Sequence, residues 1–395
     1  MIDFDEAVAL VVALARPLES EPVGLAQAWD RVLAEPVVAR ADAPVTAVSA
    51  MDGYAVRDDD LLRPPVSLSV RDTLFAGRAA PAPLGHGGCA RIFTGAPVPE
   101  GADRVVVQES VRRQGGIAVF ETPPGAARNI RAGGSDFRAG DELLGVGARL
   151  TPQALIAAAA ADVATVRAVR RPRVVVLGTG DELAEPGQAH LTAGAVPDSV
   201  SFGVMGLARA YGAELLGRRR LADAPEDLKM AAAETLAEAD VVVVTGGASV
   251  GEKDLAKAMF ETAGLELVFS RVAIKPGKPV WLGRAGGRLI VGLPGNPTSA
   301  LVTARLFLAP LLAGLGGRDP AAALAWREAP LAEPLAGTGE RETFHRGLWR
   351  HGAAVPLGNQ DSGAQKALAA AELLIRRRPG DPAAAVRTPV TILDF

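Results

Sequence analysis

Cysteine is almost absent from this 395-residue chain: Cys89 is the only one. No intramolecular disulfide can form, and no cysteine-based zinc site. Histidine is nearly as scarce. His86, His190, His345 and His351 are scattered, without the helical pair a zinc hydrolase shows. Aromatic residues make up 4%, so the core must be built mainly from Val, Leu, Ile and Ala. Charge of one sign is also missing: 42 basic and 45 acidic residues leave a net charge of -3. That balance gives no global field to gather nucleic acid or anionic lipid. No run approaches about 18 consecutive apolar residues, so nothing is expected to span a membrane. The opening residues, Met1-Ile2-Asp3-Phe4-Asp5-Glu6, are acidic and lack the basic start of a signal peptide; the cytoplasm is the expected location.

What is present has an ordinary globular balance, 49% apolar and 22% charged. Single cores stop growing at about 250–300 residues, so more than one domain is expected. Apolar residues at Phe4, Ala7, Val8, Val11, Val12 and Ala15 predict an amphipathic helix over 4–16. Residues 40–150 are rich in Gly and Pro, with short apolar runs such as Val105-Val106-Val107, and read as β-rich. Residues 151–162 read as helix. From 172 the pattern alternates. Strands are expected at 174–177, near 214–218, at 241–244 and at 289–291, and helices over 199–212, 225–238, 252–263 and 297–314. This is the pattern of a doubly wound α/β domain. After about 318, Pro and Gly return with short strand-like runs, including Val390-Thr391-Ile392-Leu393, and a small β domain is expected.

Ligands of an open parallel sheet bind beyond the carboxyl ends of its strands. Those ends carry Gly178-Thr179-Gly180-Asp181-Glu182-Leu183, then Thr245-Gly246-Gly247-Ala248-Ser249-Val250-Gly251-Glu252-Lys253-Asp254, then Gly292-Leu293-Pro294-Gly295-Asn296-Pro297. Three small-residue loops at adjacent strand ends would form one floor, whose backbone N–H groups can approach phosphate. A helix starting near Glu252 would add its positive end. Alone, Gly178-Thr179-Gly180 and Pro294-Gly295-Asn296-Pro297 also read as plain turns. The Thr245-to-Asp254 segment is more specific than any turn requires.

Thr245-Gly246-Gly247-x-Ser249-x-Gly251-x-x-Asp254 resembles the signature of the molybdopterin-binding α/β fold. Ser49-Ala50-Met51-Asp52-Gly53-Tyr54-Ala55-Val56 is similar to a hallmark of one of its two groups, the molybdopterin molybdenumtransferases (MoeA and the gephyrin E domain). So are the segment from Ile92 to Asp103 and Ala273-Ile274-Lys275-Pro276-Gly277-Lys278-Pro279. The resemblance runs from about residue 1 to 350 and more faintly to the C-terminus. It implies an α/β plus β protein of four parts: the molybdopterin-binding domain at 1–20 and 171–317, a small helical spacer at 21–40 and 141–170, a β-rich insertion at 41–140, and a C-terminal β-barrel-like domain at 318–395.

The activity implied is insertion of molybdate into adenylylated molybdopterin with Mg²⁺-dependent release of AMP. Carried across motif by motif, the catalytic positions are Asp52, Thr94, Asp136, Glu182, Asp223 and Lys275. Gly246, Gly247, Ser249, Gly251, Arg271, Lys278, Pro294, Gly295, Asn296, Arg346 and Ser362 would bind the pterin nucleotide or the oxyanion. Cleaving a phosphoanhydride needs charge neutralisation more than a strong protein nucleophile, and Mg²⁺ prefers hard carboxylate oxygens. Glu182 and Asp254 are the candidates to hold it. Molybdate is a dianion, so Lys275, Arg271, Arg346 and Ser362 are of the right type to receive it. The plain reading of Asp136 and Asp223 is a helix cap or a surface ion pair. One departure is Asp198-Ser199-Val200, where the family commonly has Asn at the third position and Val200 supplies no amide.

The resemblance also implies a homodimer whose clefts are shared between subunits, and exchange with other molybdenum-cofactor biosynthesis proteins. Two rivals stand beside this reading. A molybdopterin adenylyltransferase needs only the α/β domain, and the 40–150 insertion argues against it. A non-enzymatic scaffold of the gephyrin kind would not need the acids. Tungstate and molybdate are too alike for sequence to separate.

Overall fold

The computed structural model describes residues 1–79, 81–247 and 255–395. They form two compact units: Met1–Pro22 with Asp30–Ala34 and Arg167–Phe395, and Val23–Trp29 with Glu35–Val166.

The first unit is built on a six-stranded sheet in the order Glu214–Leu221, Arg173–Thr179, Val241–Thr245, Arg288–Leu293, Trp281–Ala285, Glu266–Phe269. The first four strands are parallel. Their residues alternate between two apolar layers. Val174, Val176, Val241, Val243 and Val291 pack under helices Phe4–Leu14, Val200–Ala210 and Pro297–Thr303, while Val175, Leu177, Val242, Val244 and Ile290 pack under Pro225–Glu238 and Leu255–Ala258. A strand covered on both faces must be apolar throughout, which is why 241–244 is all valine. The last two strands run antiparallel, and the sequence pattern had not shown them. Gly286 and Gly287, at φ 55° and 76°, make the two-residue turn that folds Trp281–Ala285 onto Arg288–Leu293.

The helix expected over 297–314 is continuous to Leu315 but contains a π turn at Ala304–Leu308. Pro310 follows it, and a proline has no N–H to offer the preceding turn, so a local change of hydrogen-bond register fits there. This helix is long and apolar enough to cross a bilayer, yet 94% of its apolar stretch is buried in the core. Hydrophobic on all sides, it is a central core helix.

The rest of this unit is a second sheet, ordered Ile274–Lys275, Glu342–Arg350, Leu373–Arg377, Pro389–Asp394, Arg327–Pro330, with Ala353–Pro356 paired to Glu342–Arg350. Phe344 and Leu374 face the α/β core, and Leu373 and Ile375 face a separate apolar cluster. Arg376 bonds Glu342 and Asp5 and lies 4.7 Å from the Phe4 ring centroid, tying the N-terminal helix to this sheet.

The second unit holds a six-stranded sheet in the order Arg104–Val107, Gly53–Val56, Gly88–Ile92, Val66–Leu74, Ile117–Phe120, Val111–Gln114. Tyr54, Leu68 and Phe120 cluster on one side, Ala55, Ile92 and Val105 on the other. The helix expected at 151–162 is Pro152–Ala160, with the Thr151 hydroxyl accepting the Ala154 N–H at 3.2 Å.

Candidate functional site

Three glycine-bearing loops meet at the carboxyl ends of Arg173–Thr179, Val241–Thr245 and Arg288–Leu293. Gly246 sits at φ 92°, and a Cβ there would lie 2.4 Å from the Thr179 carbonyl oxygen. A Cβ on Gly295 would lie 3.4 Å from the Gly246 Cα. The loops are thus in backbone contact and form one floor. Above it lies a cleft of about 800 Å³, lined among others by Glu182, Asp223, Gly246, Gly247, Pro294 and Asn296. The Gly246 N–H is taken by the Leu293 carbonyl at 3.3 Å, and the small residues of the floor let a ligand approach the backbone closely. Ser249, Gly251 and Asp254 of the same signature lie outside the described residues.

The acids cluster on one side of the cleft. Asp181 accepts the Asp223 N–H at 3.0 Å. The Glu182 carboxylate folds over Gly180, where a Cβ would meet Glu182 Oε2 at 2.5 Å. Val196 donates its N–H to the Glu182 carbonyl at 2.7 Å, and Arg220 bonds the Leu183 carbonyl, so this loop is held from both sides. Asp198 is 2% exposed, accepts the Ser201 N–H at 3.2 Å and pairs with Arg218 at 3.1 Å. It serves the start of the Val200–Ala210 helix, and Val200 lines the cleft beside it. Among the described residues, no group of three acids or histidines forms a ready metal cage. A hard cation here would complete its shell from ligand phosphates and water.

The basic residues sit around the junction with the C-terminal sheet. Lys275 is exposed and pairs in register with Thr343. Alternation along the strand puts Thr343 and His345 on one face and Phe344 and Arg346 on the other. His345 is pushed down to about 4 by burial, then by the charges of Arg377, Lys275 and Arg346, so its imidazole is neutral at pH 7. Arg271 is exposed, and its carbonyl accepts the Ile2 N–H at 3.2 Å. Lys278 is half-buried, with its carbonyl on the Val272 N–H at 3.1 Å. Gly277 between them is required: at φ 101° a Cβ would lie 2.2 Å from Thr303 Cγ2. Arg346 is only 1% exposed and Ser362 is half-buried. The Ser362 carbonyl accepts the Thr298 N–H at 3.1 Å.

In the second unit Asp52 accepts both the backbone N–H of Thr94, at 2.8 Å, and its hydroxyl, at 2.7 Å. Those two bonds, in that order, with a contribution from Arg91, hold the Asp52 carboxyl below the usual carboxylate range. Gly53 follows because a Cβ there would lie 2.1 Å from the Val106 carbonyl. Asp136 is exposed on a turn whose N–H donates to the Ala43 carbonyl at 3.0 Å. Sequence reasoning had not singled out Asp181, Thr298, Gln360 or Gln365 as site residues. Asp181 adjoins Glu182 in a loop already noted; nothing local marks the other three.

The fold is a multidomain α/β architecture with a glycine-floored cleft at the carboxyl ends of its parallel strands. Residues 2–161 match the MoeA N-terminal region (domain I and II), and residues 175–314 match the probable molybdopterin binding domain. A molybdopterin molybdenumtransferase of Haemophilus influenzae is 37% identical over 332 residues, covering 84% of this chain and 80% of that protein. Molybdopterin molybdenumtransferase 2 of Mycobacterium tuberculosis is 35% identical over 371 residues, covering 90% and 89%. The molybdopterin biosynthesis MoeA protein from Pyrococcus horikoshii superposes with a TM-score of 0.83 at 28% identity, over 100% of this chain and 99% of that one. The chain belongs to the molybdopterin molybdenumtransferase family, transferases of molybdenum-cofactor biosynthesis.

Proposed function

We propose that the substrate is adenylylated molybdopterin, that molybdate is inserted into its dithiolene, and that AMP leaves in a Mg²⁺-dependent step. The observation that carries this is the 800 Å³ cleft with a glycine floor and a flank of acids, Asp181, Glu182 and Asp223. The floor amides of Gly247 and Gly295 bind the phosphates, Gly246 lets them approach the backbone, and Pro294 and Asn296 shape the edge. Ser249 and Gly251 extend the same signature. Glu182 and Asp254 are the residues assigned to hold Mg²⁺, which when bound neutralises phosphate charge and polarises the phosphoanhydride. Asp52, kept ionised by Thr94, orients the attacking oxygen together with Asp136 and Asp223. Lys275, Lys278, Arg271 and Ser362 draw in the oxyanion. The enzyme works in the cytoplasm as a homodimer and receives its substrate from another cofactor-biosynthesis protein; the four-part division stated above belongs to the same proposal.

Purified protein is incubated with adenylylated molybdopterin, molybdate and Mg²⁺, and AMP is followed by chromatography. AMP should form only when all three are present. AMP release that ignores molybdate, or none at all, overturns the reading.

A further inference from the structure

The edge strand Glu214–Leu221 carries consecutive arginines, Arg218, Arg219 and Arg220, and strand alternation sends them to two sides. Arg219 pairs with Glu238 at 2.8 Å and with Glu234, both on the helix Pro225–Glu238. Arg218 and Arg220 reach the loop that follows Arg173–Thr179 and carries Asp181 and Glu182. Arg220 donates to the Leu183 carbonyl. Arg218 donates to Glu185 and, at 3.1 Å, to Asp198, and its guanidinium lies 4.4 Å from the Phe202 ring centroid.

One guanidinium therefore joins the acid loop, through Glu185, to the start of the Val200–Ala210 helix, through Asp198 and Phe202. The backbone makes the same connection more thinly. Leu183–Ala184 pairs with Val196–Pro197, and the Ala184 carbonyl accepts the Asp198 N–H at 2.9 Å. A ladder of two-residue strands is marginal by itself, so side chains have to hold it. Asp198 is 2% exposed, and a carboxylate so buried needs a cation or donors to match it. Arg218 supplies the cation. Its planar fork gives separate N–H groups to two carboxylates while its face packs on the Phe202 ring, a combination an ammonium cannot reproduce.

We propose that Arg218 is a positioning residue for the acid loop: by tying Glu185 to Asp198 it fixes the segment 181–185, and with it the place of the Glu182 carboxylate at the cleft. Glu182 and Asp198 line the cleft and Arg218 stands behind them, so Arg218 acts through the loop and not on the ligand. This rests on the proposed function only in assigning the cation to Glu182. A loosened loop weakens cation binding and leaves the chemistry of the loaded site nearly unchanged.

The test compares Arg218→Met, Glu185→Gln, Glu182→Gln and the double variant Arg218→Met/Glu182→Gln. Cation binding is read without turnover, by electron paramagnetic resonance of Mn²⁺ in the presence of ADP. AMP release is measured against Mg²⁺ concentration. Arg218→Met should weaken Mn²⁺ binding about tenfold, the scale for losing a group that orients a metal ligand. Half-saturating Mg²⁺ should rise to match, with a smaller change in kcat at saturating Mg²⁺. Glu185→Gln should move both in the same direction by less. It alters a half-exposed carboxylate and carries the test if Arg218→Met folds poorly. In the Glu182→Gln background Arg218→Met should add nothing, as expected when one residue acts through the other. Hydrogen exchange gives a readout free of any ligand. The Leu183, Val196 and Asp198 amides, all bonded around this loop, should exchange faster in the variants, while the Pro225–Glu238 helix exchanges as in wild type. Wild-type Mn²⁺ affinity in the folded variants, additive losses with Glu182→Gln, or unchanged exchange in the loop each overturn the proposal. If wild type releases no AMP or binds no Mn²⁺, the function reading fails, and the exchange result still decides whether Arg218 holds the loop.

Discussion

Asp52 and Thr94 meet through a single carboxylate oxygen, which accepts both the backbone N–H and the hydroxyl of the same threonine, at 2.8 and 2.7 Å. Both bonds favour the ionised carboxylate, so the carboxyl group titrates below its ordinary range. If the ionised form is the working one, activity is fully present above that lowered value and is lost as pH falls through it. Thr94→Val removes the hydroxyl and keeps the N–H. The acid limb of kcat/KM should then move upward in pH, part of the way to an ordinary aspartate. Asp52→Asn should lower AMP release by about 100-fold or more, the usual scale for losing a positioned acid–base group. A pH–rate profile of Thr94→Val that overlays wild type contradicts the role.

The floor makes a second prediction. Gly246→Ala would place a Cβ 2.4 Å from the Thr179 carbonyl oxygen at φ 92°. Neither loop can retreat without opening the contact with Gly295. A loss of roughly 1–3 kcal/mol is expected from the strain, together with loss of AMP binding. Gly264→Ala is the control: at φ 73° nothing lies within 4 Å, so only the backbone penalty remains, about 1 kcal/mol. Urea denaturation and AMP titration compare the two. Equal effects from both substitutions would remove the floor from the argument.

The parts of the fold that were legible in the sequence are those with one dominant cause. Val241 to Val244 had to be a doubly covered strand, and Pro225 marked the first turn of a helix found at Pro225–Glu238. The glycine loops were legible because no apolar contact explains them. The antiparallel strands Trp281–Ala285 and Glu266–Phe269 were hidden, although Gly286-Gly287 is a hairpin signal. Arg346 shows the deeper limit. Its type suggests an anion, but its neighbours Thr298, Asn359, Gln360 and Asp361 are brought to it only by the folded chain.

Metal binding should depend on the substrate. Among the described residues no group of three acids or histidines stands ready for a metal, and Mg²⁺ is usually held by one or two carboxylates together with ligand phosphates and water. Mg²⁺ affinity, measured by calorimetry, should be weak for the free protein and rise at least about tenfold when a pyrophosphate-bearing nucleotide is present. EDTA should abolish AMP release, and added Mg²⁺ should restore it. Tight binding without nucleotide would contradict this arrangement.

His345 should make stability acid-sensitive. Its folded value is about 4 against an ordinary 6.5, so between these values the unfolded chain binds a proton that the folded chain refuses. The contribution is fully present above pH 6.5 and is lost as pH falls toward 4. Its size is on the order of 2–3 kcal/mol, at about 1.4 kcal/mol per tenfold change in proton affinity, reduced for partial solvent access. His345→Gln should flatten the stability profile in this window. An unchanged slope in urea titrations at pH 4.5 and 7 would refute the assignment.

The last prediction concerns assembly. Asp52 and Thr94 belong to one compact unit of the chain, and Glu182, Asp223 and Lys275 to the other. A cleft shared between subunits would join the first set of one protomer to the second set of its partner. Asp52→Ala and Glu182→Ala should each be inactive as homodimers. In a mixed dimer, a shared-cleft arrangement puts both substitutions in one cleft and leaves the other intact, so about half the wild-type AMP release per dimer should return. If each cleft were built within one chain, every cleft of the mixed dimer would carry one lesion and nothing would return. Co-expression with two different tags isolates the mixed dimer, and its mass verifies the composition. Absence of recovery in a verified mixed dimer removes the shared cleft while leaving the chemistry of the individual residues untouched.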